Sequence, residues 1–349
     1  MRTMTQGPNA PVLPGRRAAA PPRRPARLSG PRLTGVALGW VVAYGALRIY
    51  WRLGHAPGDL SPVGTDLVVL DGWDSVGLCA LALPVIIALG SGRALSLDGT
   101  ARRTLLVAAG GVAIAFAACA ALLLLDVIGA ILPGLGIEFY PIGALSRSAC
   151  LASGVLMALA ARDYRRRTRA GCGACGGAAA APGPLDRTPR WAYAAAYFAV
   201  AGCLVRIAAQ AAVGFGQNPM SSGVSAVLFE VGFVLGGSVL PLALVHSWGR
   251  TWPRWTPRAA GRRIPRRLVL WPGAGISGAL VLYFGLMLLQ MFWERLNGRN
   301  PFPATGGLDL PETFFWFAVP GYFAWGAGMA VAAVAYARRT RTACRTCGH

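Results

Sequence analysis

The hydrophobic residues of this sequence are concentrated in eight long blocks, separated by segments rich in polar residues, proline and arginine. The blocks lie near 33–53, 74–91, 104–126, 142–161, 191–213, 224–247, 268–293 and 313–336. Each is about 20 residues long, the length that a helix needs to cross roughly 30 Å of hydrocarbon. One such block could be a buried helix of a soluble protein, but eight in series are typical of a multi-pass membrane protein.

Composition agrees with this pattern. Hydrophobic residues make up 55% of the 349 positions and charged residues only 13%, which is too apolar for an ordinary soluble domain. The blocks are rich in Ala, Leu, Val and Gly, and small residues let neighbouring membrane helices approach closely. We therefore predict an all-α membrane protein with eight transmembrane helices.

The net charge of +21 comes entirely from arginine, because the chain contains no lysine. Of the 34 arginines, 28 lie in the N-terminal tail and in segments 92–103, 162–190, 248–267 and 337–349. These are alternate connections between the blocks, so they share one side of the membrane, here called the arginine-rich side. The remaining connections form the arginine-poor side, and they contain only Arg295 and Arg299.

This asymmetry predicts the orientation of the chain. The positive-inside rule places the arginine-rich side, with both termini, in the cytoplasm, and we expect the plasma membrane as the location. Because orientation accounts for the arginines, we expect no nucleic-acid partner. Residues 1–32 are rich in proline and arginine without apolar periodicity, which predicts a disordered cytoplasmic tail. We expect no cleaved signal peptide, since the first apolar block starts late.

The chain contains a repeated phrase, "YRRRTRAGCGACGG" from Tyr164 and "YARRTRTACRTCGH" from Tyr336. Other matched residues occur in the same order in both halves: Arg48 with Arg206, Pro84 with Pro241, Arg102-Arg103 with Arg266-Arg267, and Gly154 with Gly326. We predict two four-helix repeats, 33–169 and 191–336, joined by a cytoplasmic linker, 170–190, and followed by a tail, 337–349. An even number of helices per repeat makes the repeats parallel, related by an axis along the membrane normal.

Each predicted repeat carries one arginine and one carboxylate at a similar depth below its arginine-poor end. These are Arg48 with Asp74 in the first half and Arg206 with Glu230 in the second. Charges inside a membrane are costly and mark candidate sites. The four residues predict either a polar site for a small charged ligand or for protons, or ion pairs that only lock adjacent helices together.

A further candidate, Arg147, breaks the symmetry because the last block has no basic counterpart. Asp126 likewise corresponds to Gln290. Such asymmetry indicates either that one half has specialised for a ligand or that the halves have drifted apart.

Four cysteines form two C-x-x-C pairs on the arginine-rich side, Cys172 with Cys175 and Cys344 with Cys347. Four thiolates can hold a tetrahedral structural zinc ion, and the matched position of the pairs in the two halves favours this interpretation. A dithiol redox pair and unpartnered tail cysteines are the alternatives. The other four cysteines lie within the apolar blocks and are expected to behave as small apolar residues.

Several enzyme classes lack their sequence signatures. A Walker P-loop needs lysine, and neither a G-x-S-x-G elbow nor an H-E-x-x-H motif occurs. Only three histidines are present. Nucleotide hydrolysis, serine hydrolysis and di-haem electron transfer are therefore disfavoured.

The stretch "ALRIYWRLG" (46–54) resembles uncharacterised actinobacterial multi-pass integral-membrane proteins, which carry similar Arg-x-Tyr-Trp-x-x-Gly phrases after a first helix. The second half departs from it, with "LVRIAAQAAVG". The resemblance implies membrane location alone.

Three functions fit these observations. The first is a transporter, permease or accessory membrane component with a small-molecule site near the four charges. The second is a non-catalytic scaffold or regulatory protein that docks a cytoplasmic protein partner through a metal knuckle. The third is a membrane enzyme that uses Asp74 or Glu230 as a general acid or base on a lipid-linked substrate.

Overall fold

A computed structural model describes residues 30–58, 60, 72–135, 137–168, 185, 187–214, 223–252, 256, 260–302 and 310–341. Regular structure in these ranges is helical, apart from one isolated bridge between Thr251 and Arg263. Eight segments are long and apolar enough to cross a membrane. They are Pro31–His55, Trp73–Gly90, Gly99–Ile131, Pro141–Arg167, Arg190–Val213, Val224–Val245, Arg266–Leu296 and Glu312–Arg339. The prediction of a multi-pass, all-α membrane protein is confirmed.

The first four spans contain five α-helices. These are α1 (Gly30–Tyr50), α2 (Trp73–Gly90), α3 (Gly99–Cys119), α4 (Leu123–Ile131) and α5 (Pro141–Arg167). A π-type turn, Trp51–His55, follows α1 and is interrupted at Gly54, whose φ of 100° is not helical. The third span is broken after Cys119 and resumes as α4, so Asp126 lies inside a short helix instead of at the end of a long one.

The last four spans contain the other five α-helices. These are α6 (Arg190–Val213), α7 (Val224–Val234), α8 (Leu240–Val245), α9 (Arg266–Leu296) and α10 (Glu312–Arg339). A π-helical turn, Leu235–Val239, joins α7 to α8 within one span.

Local sequence explains where several helices begin. The Asp98 carboxylate accepts a hydrogen bond from the Ala101 amide at 2.7 Å and caps α3, since side-chain oxygens satisfy the first free amides of a helix. Pro141 occupies the first turn of α5, where its fixed φ is already helical and its missing N–H is not needed.

Buried apolar residues form two main clusters. The first is built from α1, α2, α3 and α5, with residues such as Ile86, Phe116 and Met157. The second is built from α6 to α10, with residues such as Leu244 and Met329. We refer to the two groups of helices as the first bundle (30–168) and the second bundle (187–341).

The bundles touch where α3 and α4 pack against α9. Leu124 of α4 packs against the second cluster, and the Ser225 hydroxyl donates to the Pro133 carbonyl at 2.8 Å.

Many large apolar side chains face outward. Leu296, Val224 and Val107 are 83%, 76% and 74% exposed, and similar residues occur on most spans. Soluble monomers rarely expose such extensive apolar surface. This apolar surface is consistent with contact with a lipid bilayer.

Candidate charged site

The structure brings Arg206 of α6 and Glu230 of α7 together. Nη1 of Arg206 lies 3.3 Å from both carboxylate oxygens of Glu230. Nε of Arg206 donates to the Tyr322 hydroxyl of α10 at 2.9 Å. The side chain of Arg206 is 4% exposed and that of Glu230 is 28% exposed, so the cation is enclosed and its partner carboxylate remains accessible.

Aromatic rings surround this arginine. Its Cζ lies 4.6 Å from the Phe233 ring centroid and 5.8 Å from that of Tyr322, within the range of cation–π attraction. Tyr322 in turn stacks on Phe284 with centroids 4.1 Å apart. The rings and the hydroxyl hold the guanidinium in one position, while Glu230 is held by a single nitrogen through two contacts of 3.3 Å.

Trp325 completes the aromatic wall beside Phe233, with ring centroids 4.9 Å apart. Its indole Nε1 is buried and has no hydrogen-bond partner among the described residues. Gly236 and Gly237 lie close to this ring, and Gly237 also lies close to Cys203. The indole therefore packs against backbone of the second bundle. The site therefore has an apolar side as well as a charged one.

Arg48, which the predicted repeat aligns with Arg206, lies in the first bundle in different surroundings. It is 5% exposed, its Nε donates to the Ser75 hydroxyl at 2.8 Å, and its Cζ lies 5.6 Å from the Trp51 ring. Asp74, the predicted partner, is exposed. The contact that α2 makes with this arginine comes from the neighbouring Ser75.

Arg147 forms a buried ion pair with Asp126. Its Nε and Nη2 contact the two carboxylate oxygens of Asp126 at 2.5 and 2.6 Å. Both residues are buried, with side chains 10% and 1% exposed. Such a two-point contact is the strong geometry for guanidinium and carboxylate, and it fastens α4 to α5.

Arg206 and Arg147 lie at a similar depth. At 1.5 Å per residue, Arg206 is about 10 Å from the arginine-poor end of α6, and Arg147 is about 9 Å from the start of α5. The described contacts of Arg206 lie in the second bundle and those of Arg48 and Arg147 in the first.

The predicted metal ligands Cys172, Cys175, Cys344 and Cys347 lie outside the described residues, so the zinc site stays a prediction. Within the described ranges, no group of three or more His, Cys, Asp or Glu side chains could hold a metal ion.

Sequence reasoning missed Tyr322, Phe233 and Ser75 as partners of the buried arginines. Their residue types are common in membrane helices, and their distance along the chain gives no signal. The Asp126 contact did have a signal, since Asp126 and Arg147 are the two charges that lose their counterparts together in the second half.

Comparison of the chain with protein-family models, with curated proteins and with solved structures finds no match.

Proposed function

We propose that the chain is a plasma-membrane transporter or permease that binds a small ionisable substrate between α6, α7 and α10, at Arg206 and Glu230. The observation that carries this proposal is the contrast between the two ion pairs. The Asp126 carboxylate is buried and held at two points, whereas the Glu230 carboxylate is 28% exposed and held loosely by one nitrogen.

A loose, half-exposed pair can exchange partners. A substrate carboxylate can displace Glu230 from the fixed Arg206 guanidinium, and a substrate ammonium or a proton can bind to the displaced Glu230. Since the guanidinium stays fixed by Tyr322 and Phe233, little reorganisation accompanies the exchange. The π-helical turn that follows α7 adds to this case, because such turns occur frequently at functional sites.

We also propose that the two bundles are parallel repeats. Gly154 and Gly326 support this, since each lets the last helix of its bundle touch the preceding span. A Cβ added at Gly154 would lie 3.2 Å from Cβ of Phe116, and one at Gly326 would lie 2.7 Å from Cβ of Leu280. Phe116 and Leu280 follow the paired arginines of α3 and α9 at the same spacing.

The repeated phrase supports the same proposal. Its last helical arginine is Arg167 in the first bundle and Arg339 in the second. Arg167 donates to the Leu89 carbonyl at 3.2 Å, and Arg339 donates to the Leu244 and Val245 carbonyls at 3.1 and 2.9 Å. Both arginines therefore bind the C-terminal carbonyls of the second span of their bundle, where a cation is favoured by the helix dipole.

The paired arginines behave alike as well. Arg102 donates to the Thr168 carbonyl at 2.9 Å, and Arg266 donates to the Ala337 carbonyl at 3.0 Å. In each bundle the start of the third span is thus tied to the end of the fourth.

The π-helical turn Leu235–Val239 accounts for a one-residue mismatch in the repeat. Glu230 stands one residue further from Pro241 than Asp74 stands from Pro84. A π-helical turn holds one more residue than an α-helical turn, so the two acids align once the insertion is allowed for.

In a pair of parallel repeats, the arginine-rich side of both bundles faces the cytoplasm.

The proposed site is tested with purified protein in proteoliposomes, by recording currents evoked by a panel of amino acids and dicarboxylates. We expect Glu230→Gln to abolish the response. We also expect Tyr322→Phe, which releases the guanidinium from its hydroxyl anchor, to weaken it several-fold. Tyr44→Phe is the matched control, because it removes a hydroxyl that contacts Ser146 in the first bundle. Currents absent from the wild type, or unchanged by Glu230→Gln, would overturn the proposal.

A further inference from the structure

A second polar feature lies at the opposite end of the first bundle, on the arginine-rich side. A cavity of about 190 Å³ opens between the start of α3 and the end of α5. Its lining consists of Gly99, Arg102, Arg103, Leu106, Arg165 and Thr168. This volume is several times what one water molecule requires.

Three arginines line this cavity, and acidic side chains are absent from its lining. The nearest acids along the chain are engaged elsewhere: Asp98 caps α3, and Asp163 pairs with Arg167 at 2.8 Å. Within the described part of the chain, neither Arg103 nor Arg165 forms an ion pair. The cavity therefore holds positive charge that the described chain does not neutralise.

Arg102 gives the cavity a fixed side. Its Nη1 is held by the Thr168 carbonyl at 2.9 Å, which orients the rest of its guanidinium. Arg103 and Arg165 are exposed and free to close on a ligand. Leu106 supplies an apolar wall one turn deeper in the membrane, as an interfacial site requires.

We propose that this cavity binds the phosphate group of a phosphoester at the membrane surface. Phosphate is the anion that a fork of several guanidinium groups fits best, and basic pockets between membrane helices bind phospholipid head groups. The phosphate can come from an anionic phospholipid or from a soluble phosphoester, and the same three arginines serve both.

The second bundle offers a natural comparison. By repeat position, Ala337 stands where Arg165 stands in the first bundle, and Arg263 stands where Gly99 stands. The paired arginine is kept as Arg267. The second bundle therefore lacks a counterpart of Arg165 but has an arginine, Arg263, where the first bundle has Gly99, and its residues provide a control for bulk surface charge.

The test variant is Arg103→Gln with Arg165→Gln, and the control is Arg267→Gln with Arg338→Gln, which removes the same charge from the second bundle. Both proteins are reconstituted with phosphatidylglycerol or phosphatidylcholine, and retained lipid is counted by native mass spectrometry. We expect the test variant to lose phosphatidylglycerol roughly tenfold or more, while the control and phosphatidylcholine retention are unchanged. Thermal unfolding of both variants should match the wild type, because the replaced side chains are exposed.

Inorganic phosphate added during the measurement separates the two sources. Phosphatidylglycerol that is retained, and displaced only by high phosphate, assigns the site to lipid. Phosphate binding that depends on Arg103 and Arg165 without retained phosphatidylglycerol assigns it to a soluble phosphoester. Equal lipid loss in test and control variants, or no phosphate dependence at all, would overturn the proposal.

Discussion

The two bundles place buried arginine at the same depth but neutralise it differently. In the first bundle, Arg147 and Asp126 form a buried ion pair with two hydrogen bonds. In the second, Arg206 is anchored by aromatic groups and Glu230 is left half-exposed. A buried pair with both partners satisfied acts as a lock between helices, whereas an anchored cation with a displaceable partner can bind a ligand.

Helix packing differs in a related way. In the second bundle, Gly202 and Gly321 let α6 and α10 touch through their backbones, since a Cβ at Gly202 would lie 2.5 Å from the Gly321 carbonyl oxygen. In the proposed repeat alignment, Gly202 corresponds to Tyr44 of the first bundle, which is buried and reaches the Ser146 hydroxyl at 3.3 Å. The closer crossing of α6 and α10 in the second bundle gives a rigid frame beside the loosely held Arg206–Glu230 pair.

The largest effect on stability is expected from removing one partner of the Arg147–Asp126 ion pair in the first bundle. Asp126→Asn leaves Arg147 buried without a counter-charge, which should destabilise the protein by about 3–5 kcal/mol. The double variant Asp126→Gln with Arg147→Val installs the residues of the second half, Gln290 and Val319, and should recover most of the lost stability. A thermodynamic cycle from thermal unfolding in detergent, with Asp126→Gln and Arg147→Val as the single variants, measures the coupling. Additive effects of the two single variants would contradict the lock.

A smaller loss is expected at the glycine crossing. Gly202→Ala should destabilise the second bundle by about 1–3 kcal/mol, because the added methyl forces two backbones apart. Gly110→Ala is the matched control, since a Cβ there meets nothing within 4 Å and alanine is the better helix former. The comparison fails if both substitutions change the unfolding temperature equally.

The two arginines of the repeated phrase should again differ between the bundles, and the smallest effect of all is expected at Arg167. Arg339 is half-buried and donates to two carbonyls and to the Thr188 hydroxyl. Arg167 is exposed and binds one carbonyl together with Asp163. Arg339→Gln should therefore cost about 1–3 kcal/mol and Arg167→Gln less than about 1 kcal/mol. Unfolding temperatures of the two variants give the comparison, and equal shifts would contradict it.

The eight spans could be predicted from the sequence because the bilayer sets both the length and the polarity of each block. Arg206 and Glu230 could be paired because they lie at matched depth on successive spans. The same reasoning was incomplete for Arg48, since whether Asp74 or Ser75 faces it depends on the rotation of α2, which flanking apolar residues do not determine. Tyr322 could not be found at all, because its contact with Arg206 depends on the glycine crossing of two spans far apart in the chain.

The central claim is that the charge pair of the second bundle has a functional role and that of the first is structural. It is tested most directly by comparing substrate-evoked currents of two double variants in proteoliposomes. Arg206→Met with Glu230→Leu should fold and lose the currents, since replacing a pair by apolar residues of similar size is often neutral for stability. Asp126→Gln with Arg147→Val should fold and keep them. Currents that survive the first change, or that vanish only with the second, would contradict the account.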